Sequence, residues 1–145
     1  MRVLVSACLL GVSCRYDGQH KEYPLMDELC RRHQVVPVCP EIFGGLPTPR
    51  VPAERQGERV VTKNGDDVTA QYCRGAEEAL RLAQLLGCTV AVLKERSPSC
   101  GSGQIYDGTF TGTLTAGFGA AAELLAAAGI RVIGESQLAE FLAEE

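Results

Sequence analysis

Four short, nearly continuous apolar runs predict buried β-strands. They lie at residues 2–7, 35–38, 89–93 and 130–133. Strands that are apolar along their whole length are typical of a parallel sheet covered on both faces. The pattern therefore predicts a mainly parallel sheet at the centre of the fold.

Between these runs, apolar residues recur with helical spacing. Residues 68–86 give the clearest pattern, in which Asp66 or Asp67 is a candidate cap and Gly87 stands where a left-handed C-terminal residue is favoured. The face that this predicted helix turns inward consists of Tyr72, Ala76, Ala79, Leu80, Ala83 and Leu86.

Three further helices are predicted. Residues 25–32 form a short one, and residues 118–128 form one that is almost wholly apolar, ends at Gly129 and is expected to be well buried. Ser136 is a candidate cap for a last helix that turns Leu138, Phe141 and Leu142 inward.

Two long stretches, residues 42–65 and 97–117, are rich in Gly, Pro or charged residues and are predicted to be loops, with a hairpin at residues 59–62. Compact domains seldom carry long irregular loops without a use for them, and ligands of open α/β sheets bind beyond the carboxyl ends of the strands. The alternation of strands and helices predicts a single α/β domain over residues 1–145. Its three layers would be a mainly parallel sheet with helices on both faces, and long loops would lie at the strand C-terminal ends.

Composition and charge exclude some classes of function. The chain has 145 residues, of which 46% are hydrophobic and 22% charged, with a net charge of −4. An acidic balance argues against long nucleic acid as a partner. No apolar run reaches the roughly 20 residues that span a bilayer, and the N-terminus does not resemble a signal peptide. We therefore expect a cytoplasmic protein with a small-molecule partner; the sequence does not indicate an oligomeric state.

Seven cysteines stand out in such a chain, and their odd number excludes a complete set of intrachain disulfides. Cys8 and Cys39 directly follow the first two predicted strands, and Cys100 lies a few residues past the third. If these strands are parallel, the three thiols point into one crevice. Their separations of 31 and 61 residues match no local zinc or ferredoxin spacing, so spacing alone does not identify a metal.

The other four cysteines carry weaker signals. Cys14 lies in a glycine-flanked loop, where it is either a spare ligand, a sulfur acceptor or an ordinary thiol. Cys30, Cys73 and Cys88 are predicted to be packing residues. A zinc site built on the trio needs a fourth ligand, whereas a cubane iron–sulfur cluster tolerates three, and soft thiolates suit both. The candidates for that fourth zinc ligand are Cys14, Cys30, His20 and His33.

Residues beside the trio are candidates for binding and proton transfer. Glu41, two positions after Cys39, is either a general acid–base or a cap or salt-bridge partner. Gly101, after Cys100, would let the backbone approach a ligand closely. Six further residues are candidates to line a base pocket, and the alternative is that they form a solvated surface. They are Arg15, Tyr16, Asp17, His20, Arg50 and Lys94.

Four segments of the chain resemble the thiouracil desulfidase family, a small bacterial family long catalogued as a domain of unknown function. They are SACLLGVSCRYDG, VCPEIFGGLPTPR, DVTAQYCRGAEEAL and ERSPSCGSGQIYDGTFTG, and the likeness runs from residue 2 to about residue 135. The resemblance implies a Rossmann-like fold and a 4Fe-4S cluster with three cysteine ligands. By motif these are Cys8, Cys39 and Cys100, the same trio that the strand ends indicate.

The resemblance also implies a non-redox reaction in which a thiolated base loses its sulfur as hydrogen sulfide. An open iron binds the thiocarbonyl sulfur and water attacks the carbon, while Glu41 takes the proton and Ser97 helps to relay it to the ring. Ser99 is a rival for the role of Ser97. The expected partner is a 2- or 4-thiouracil-type base or nucleoside. Two alternatives stay open, a zinc-binding or thiol-redox protein and a non-catalytic sensor of thiolated metabolites.

Overall fold

A computed structural model describes residues 1–20 and 23–144. Its strands are β1 (Arg2–Ser6), β2 (Gln34–Val38), β3 (Ala53–Gln56), β4 (Arg59–Thr62), β5 (Cys88–Leu93), β6 (Gln104–Tyr106), β7 (Leu114–Ala116) and β8 (Arg131–Gly134). Its helices are α1 (Met26–Arg32), α2 (Pro40–Phe43), α3 (Thr69–Leu85), α4 (Ala120–Ala127) and α5 (Leu138–Ala143), with short 3-10 helices at Ala7–Leu10 and Glu135–Gln137.

The central sheet has the strand order β2-β1-β5-β8, and all of its pairings are parallel. Val3 and Val5 of β1 pack with α1 and α5 on one face, and Leu4 packs with α3 and α4 on the other. Because successive side chains of a strand point to opposite faces, an all-apolar strand has both faces buried. The three-layer α/β fold expected from the pattern is confirmed.

Two antiparallel hairpins, β3–β4 and β6–β7, lie outside the central sheet. The first confirms the hairpin predicted at residues 59–62. The second falls in residues 97–117, which were predicted to be a loop, and that prediction was wrong. Three-residue strands with five glycines in and around them carry too little β-branched or alternating pattern to be seen in the sequence.

The helix boundaries also need corrections. The last helix is not capped by Ser136, because Gly134 and the Glu135–Gln137 turn precede it. The N-cap position of α3 is Val68 rather than Asp66 or Asp67, although Asp67 precedes it directly and its Oδ1 accepts the Thr69 amide at 2.9 Å. At the other end of α3, Gly87 adopts the expected left-handed φ of +69°.

Burial differs from the prediction on three helices. The helix predicted at residues 118–128 begins at Ala120, and Phe118 is 41% exposed. Cys30 and Cys73, predicted to be packing residues, are exposed, whereas Cys88 is buried. Each exposed cysteine follows a buried residue in its helix, and one helical step of about 100° turns it toward solvent.

Helices α2 and α3 are in backbone contact at two glycines. A Cβ on Gly75 would collide with the Pro40 carbonyl, and one on Gly44 would collide with the Gln71 carbonyl. The absence of a side chain at both positions therefore lets the four-residue α2 lie directly on α3, which fixes the segment that follows Cys39.

No helix among the described residues is long and apolar enough to cross a membrane.

Candidate functional site

The thiols of Cys8, Cys39 and Cys100 line one cavity of about 570 Å³. Cys8 lies in the 3-10 turn directly after β1, and Cys39 is the residue between β2 and α2. Cys100 lies in the turn that follows β5. Since β2, β1 and β5 are adjacent and parallel, their carboxyl ends meet at one edge of the sheet and deliver the three residues together.

Burial and a hydrogen bond raise the pKa values of these three thiols. It raises the pKa of Cys8 to about 11 and, as the largest cause, also raises the pKa of Cys100. For Cys39 a hydrogen bond with Cys14 is the largest cause of a raised pKa, while the same bond lowers the pKa of Cys14. These shifts favour the neutral thiols over the thiolates, and a bound metal would act in the opposite direction.

A chain of hydroxyl groups connects the SPSC turn to Glu41. The hydroxyl of Ser99 donates to Glu41 Oε1 at 2.6 Å, and it lies 3.0 Å from the hydroxyl of Ser97. Ser97 lines the cavity, whereas Ser99 is fully buried and is also 3.5 Å from the sulfur of Cys100. Ser97 and Ser99 are thus successive members of one chain rather than rivals for one position.

The SPSC turn is held by the N-terminus of α4. The amides of Ala120 and Ala121 donate to the carbonyls of Pro98 and Ser99, each at 2.8 Å, so first-turn donors of the helix are satisfied by the turn. Within the turn, Ser97 Oγ accepts the amides of Ser99 and Cys100 at 3.1 Å. The contact between α4 and the turn could not be predicted from the sequence, because both donors and both acceptors are backbone atoms.

Gly101 has a different role from the one expected. A Cβ there would lie 2.7 Å from the carbonyl oxygen of Ser97 and 2.8 Å from Ile105. The residue is buried and is not among those that line the cavity. Gly101 therefore allows the turn to close on itself, and it does not provide an approach for a ligand.

Arg50 joins two loops at the cavity and is a site residue that the sequence left undecided. Its guanidinium donates to the Cys14 carbonyl at 3.0 Å and lies 3.8 Å from Glu41 Oε2, with only 8% and 12% of the Arg50 and Glu41 side chains exposed. Its amide donates to the Tyr16 carbonyl at 2.7 Å. Arg50 thus positions both the Cys14 loop and the Glu41 carboxylate.

Glu41 and Cys14 are both close to Cys39. The sulfur of Cys39 lies 3.7 Å from Glu41 Oε2 and 3.8 Å from the carbonyl oxygen of Cys14. Glu41 therefore contacts a thiol, a hydroxyl and a guanidinium at the cavity, which is more than the cap or surface salt bridge that was the alternative interpretation.

Other candidates divide between the cavity and the surface. Arg15, Tyr16 and Lys94 line the cavity, and Lys94 also pairs with Glu135 at 3.1 Å. Asp17 and His20 are exposed and are not among the cavity-lining residues; Asp17 accepts the Gln19 amide in a turn. The lining residues that sequence reasoning missed include several from the two hairpins and the helix beside them, among them Glu54, Tyr72, Tyr106 and Phe110.

The donors at the cavity fit an iron–sulfur cluster held by three thiols. Cys8, Cys39 and Cys100 supply three soft donors from three separate strand ends, and Cys14 is a fourth thiol that lines the same cavity. In the part of the chain that the structure describes, no group of three His, Cys, Asp or Glu side chains is close enough to hold a single metal ion.

Comparisons with known proteins agree with this arrangement. The model of the 2-thiouracil desulfurase family matches residues 3–137. The uncharacterized protein YbbK of Bacillus subtilis (strain 168) is 43% identical over 150 residues, which cover 97% of this chain and 99% of the relative. A solved structure of the [4Fe-4S]-dependent thiouracil desulfidase TudS is 52% identical, with a TM-score of 0.93 over 99% of this chain and 96% of that one.

Proposed function

Because the chain belongs to the 2-thiouracil desulfurase family, we propose that it hydrolyses the C–S bond of a thiolated pyrimidine at a three-cysteine 4Fe-4S site. The products are the carbonyl form of the base and hydrogen sulfide, and water supplies the oxygen. One observation carries the proposal: three thiols from adjacent strand ends share a cavity with a hydroxyl chain that ends at a carboxylate.

Cys8, Cys39 and Cys100 would hold the cluster, which when bound supplies a Lewis-acidic iron without a protein ligand for the thiocarbonyl sulfur. Because a soft sulfur is preferred by such an iron over a hard carbonyl oxygen, the site would favour the thiolated base over its product. The protein then has to provide the water, the proton transfers and the position of the ring.

Glu41 is the proposed general base. In the carboxylate form it takes a proton from the water that attacks the C–S carbon, and Arg50 at 3.8 Å keeps it oriented. The proton passes through Ser99, whose hydroxyl already donates to Glu41, to Ser97 at the cavity surface. Ser97 would deliver it to the ring nitrogen, so Ser99 is a buried relay and Ser97 is the member that contacts substrate.

The direct test is anaerobic reconstitution followed by incubation with 2-thiouracil or 4-thiouracil. We expect loss of the near-ultraviolet band of the substrate, stoichiometric sulfide and broad visible absorption from the protein. Iron and acid-labile sulfide content separates this reading from a zinc or thiol-redox protein. Ligand binding without sulfide release across both bases would contradict the enzyme and favour a sensor.

Cysteine variants locate the cluster. Cys8→Ser, Cys39→Ser and Cys100→Ser should each reduce visible absorption and sulfide release to near background. Cys30→Ser and Cys73→Ser are matched controls, because both thiols are exposed and lie outside the cavity, and they should behave as wild type. Sulfide release from a colourless protein would refute the assignment.

A further inference from the structure

The loop between β6 and β7 contains an aromatic residue in an unfavourable backbone conformation. Phe110 has a φ of +58°, the left-handed region that costs an L-residue energy. Gly108 and Gly112 in the same loop also have positive φ, of +94° and +77°, where glycine is the ordinary choice. A bulky residue in the left-handed conformation between these two glycines indicates that its side chain is needed there.

The side chains of this loop alternate between solvent and the cavity. Outside, the Thr109 hydroxyl donates to Asp107 at 2.6 Å and continues through Thr111 to Thr113, with hydroxyl separations of 2.6 and 2.9 Å. Phe110 is half-buried and lines the same cavity as the cysteines. The left-handed residue is therefore the one that turns an aromatic ring toward the site.

Glu54 of β3 holds this conformation in place. Its Oε1 accepts the amides of both Gly108 and Phe110, at 2.9 and 3.1 Å, so one carboxylate oxygen binds two amides of the same loop. Gln56 Nε2 donates to the Gly108 carbonyl at 2.9 Å, and a Cβ on Gly108 would lie 2.7 Å from Gln56 Cγ. The loop is thus seated closely on the β3–β4 hairpin.

We propose that Phe110 is a specificity-determining residue that packs on the face of a planar heteroaromatic ring, and that Glu54 is the positioning residue that holds it there. The inference rests on the proposed function, because it assigns the ring-binding contact of that same cavity. Stacking accepts any planar base but gives nothing to an open-chain thiocarbonyl, so Phe110 would select pyrimidines over compounds such as thiourea.

Phe110→Gly tests this without straining the fold, since glycine adopts the left-handed conformation freely. On reconstituted protein we expect KM for 2-thiouracil to rise about 10-fold. Kd for uracil, measured by anaerobic equilibrium dialysis, should rise by about the same factor. Inhibition by thiourea should not change, and Tm should be unchanged or higher. Phe110→Tyr should restore most of the affinity. Phe118→Ala, an exposed phenylalanine outside the cavity, is the control.

Glu54→Gln tests the positioning role. We expect a smaller rise in KM with kcat retained, and no additional rise when it is combined with Phe110→Gly, because both act through the same ring. Glu58→Gln, on the exposed turn of the same hairpin, should leave KM unchanged.

The results distinguish the two proposals. Wild-type protein that binds uracil but releases no sulfide from thiouracils refutes the proposed function, while the uracil dialysis still tests Phe110. Wild-type turnover with an unchanged Kd for uracil in Phe110→Gly overturns the inference. Equal weakening of thiourea and uracil also overturns it, because that would show a general disturbance rather than loss of a ring contact.

Discussion

The cavity has two kinds of lining, which are built in opposite ways. The thiol lining, Cys8, Cys39 and Cys100, stands at the ends of adjacent parallel strands and takes its position from the sheet. The hairpin lining, Glu54, Tyr106 and Phe110, stands on two small antiparallel hairpins outside that sheet. Under the two proposals above, the strand ends would set which chemistry the site performs, whereas the hairpins would set which molecule it receives.

Glu41→Gln should have the largest effect and separates chemistry from binding. Loss of the general base is expected to lower kcat by about 10²- to 10⁴-fold with little change in KM, because glutamine cannot take a proton. Visible absorption should be retained, since Glu41 is not one of the proposed cluster ligands. Steady-state sulfide release measures both constants, and a change confined to KM would contradict the division between the two linings.

Gly75→Ala disturbs the contact between α2 and α3, which supports the thiol lining at Cys39. The added methyl group collides with the Pro40 carbonyl, so α2 must move away from α3, carrying Cys39 and Glu41 with it. We expect destabilisation of about 1–3 kcal/mol in urea unfolding, together with reduced visible absorption. Glu77→Ala, exposed on the same helix, is the control. An unchanged or increased stability for Gly75→Ala would show that the contact is looser than described.

Ser99→Ala removes the buried hydroxyl of the relay. We expect kcat to fall by about 10-fold, less than for Glu41→Gln, because water can carry the proton from Glu41 to Ser97 along a poorer route. KM and visible absorption should hold. Ser102→Ala, in the same turn region and partly exposed, serves as the matched variant. If Ser97→Ala lowers kcat while Ser99→Ala does not, then the relay bypasses Ser99.

Asp67→Asn should have the smallest effect on stability and none on activity, because Asp67 belongs to neither lining of the cavity. Hydrogen bonds from Thr69, and then the contact with Arg59, lower the pKa of Asp67 from 3.8 to about 2. A depressed pKa means that the stabilisation is fully present above the unfolded value and is lost as pH falls through the folded one. The wild type should therefore have a slightly higher Tm than the variant at pH 7, and the difference should disappear as pH falls from about 4 to about 2.

In that experiment Asp66→Asn is the control. Among the described hydrogen bonds, the Asp67 carboxylate accepts the Thr69 amide, whereas Asp66 takes part through its backbone amide, which donates to Thr62. A Tm difference that persists at the lowest pH would assign the effect to something other than the carboxylate charge. Sulfide release should be the same in both variants at pH 7.

The two linings also differ in how far they could be predicted. Cys8, Cys39 and Cys100 were found because continuous apolar strands mark their own ends, and parallel strands end at one edge. Phe110 and Glu54 were missed because the backbone amide of Phe110 donates to the Glu54 carboxylate across 56 residues of chain, and such a contact does not depend on which side chain stands at position 110. The three-residue strands β6 and β7, which flank the loop of Phe110, also carry too short a pattern to be predicted.

The same reason explains the other corrections. The burial of Cys30 and Cys73 was predicted wrongly. Each follows a buried residue directly, and a short apolar pattern does not show whether such a neighbour faces the core or the solvent. The relationship between Ser97 and Ser99 could not be predicted, because it depends on which hydroxyl a single turn directs outward. The roles of these residues remain predictions that the variants above test.

The glycine contact between α2 and α3 bears on how a substrate enters. Two helices that touch backbone to backbone at Gly44 and Gly75 cannot slide or tilt without a collision, so Glu41 is tied to the longest helix of the described chain. The Cys14 loop, by contrast, is joined to the Glu41 side of the cavity through Arg50. We therefore expect any breathing of the cavity to occur in the surrounding loops, around a carboxylate that stays still.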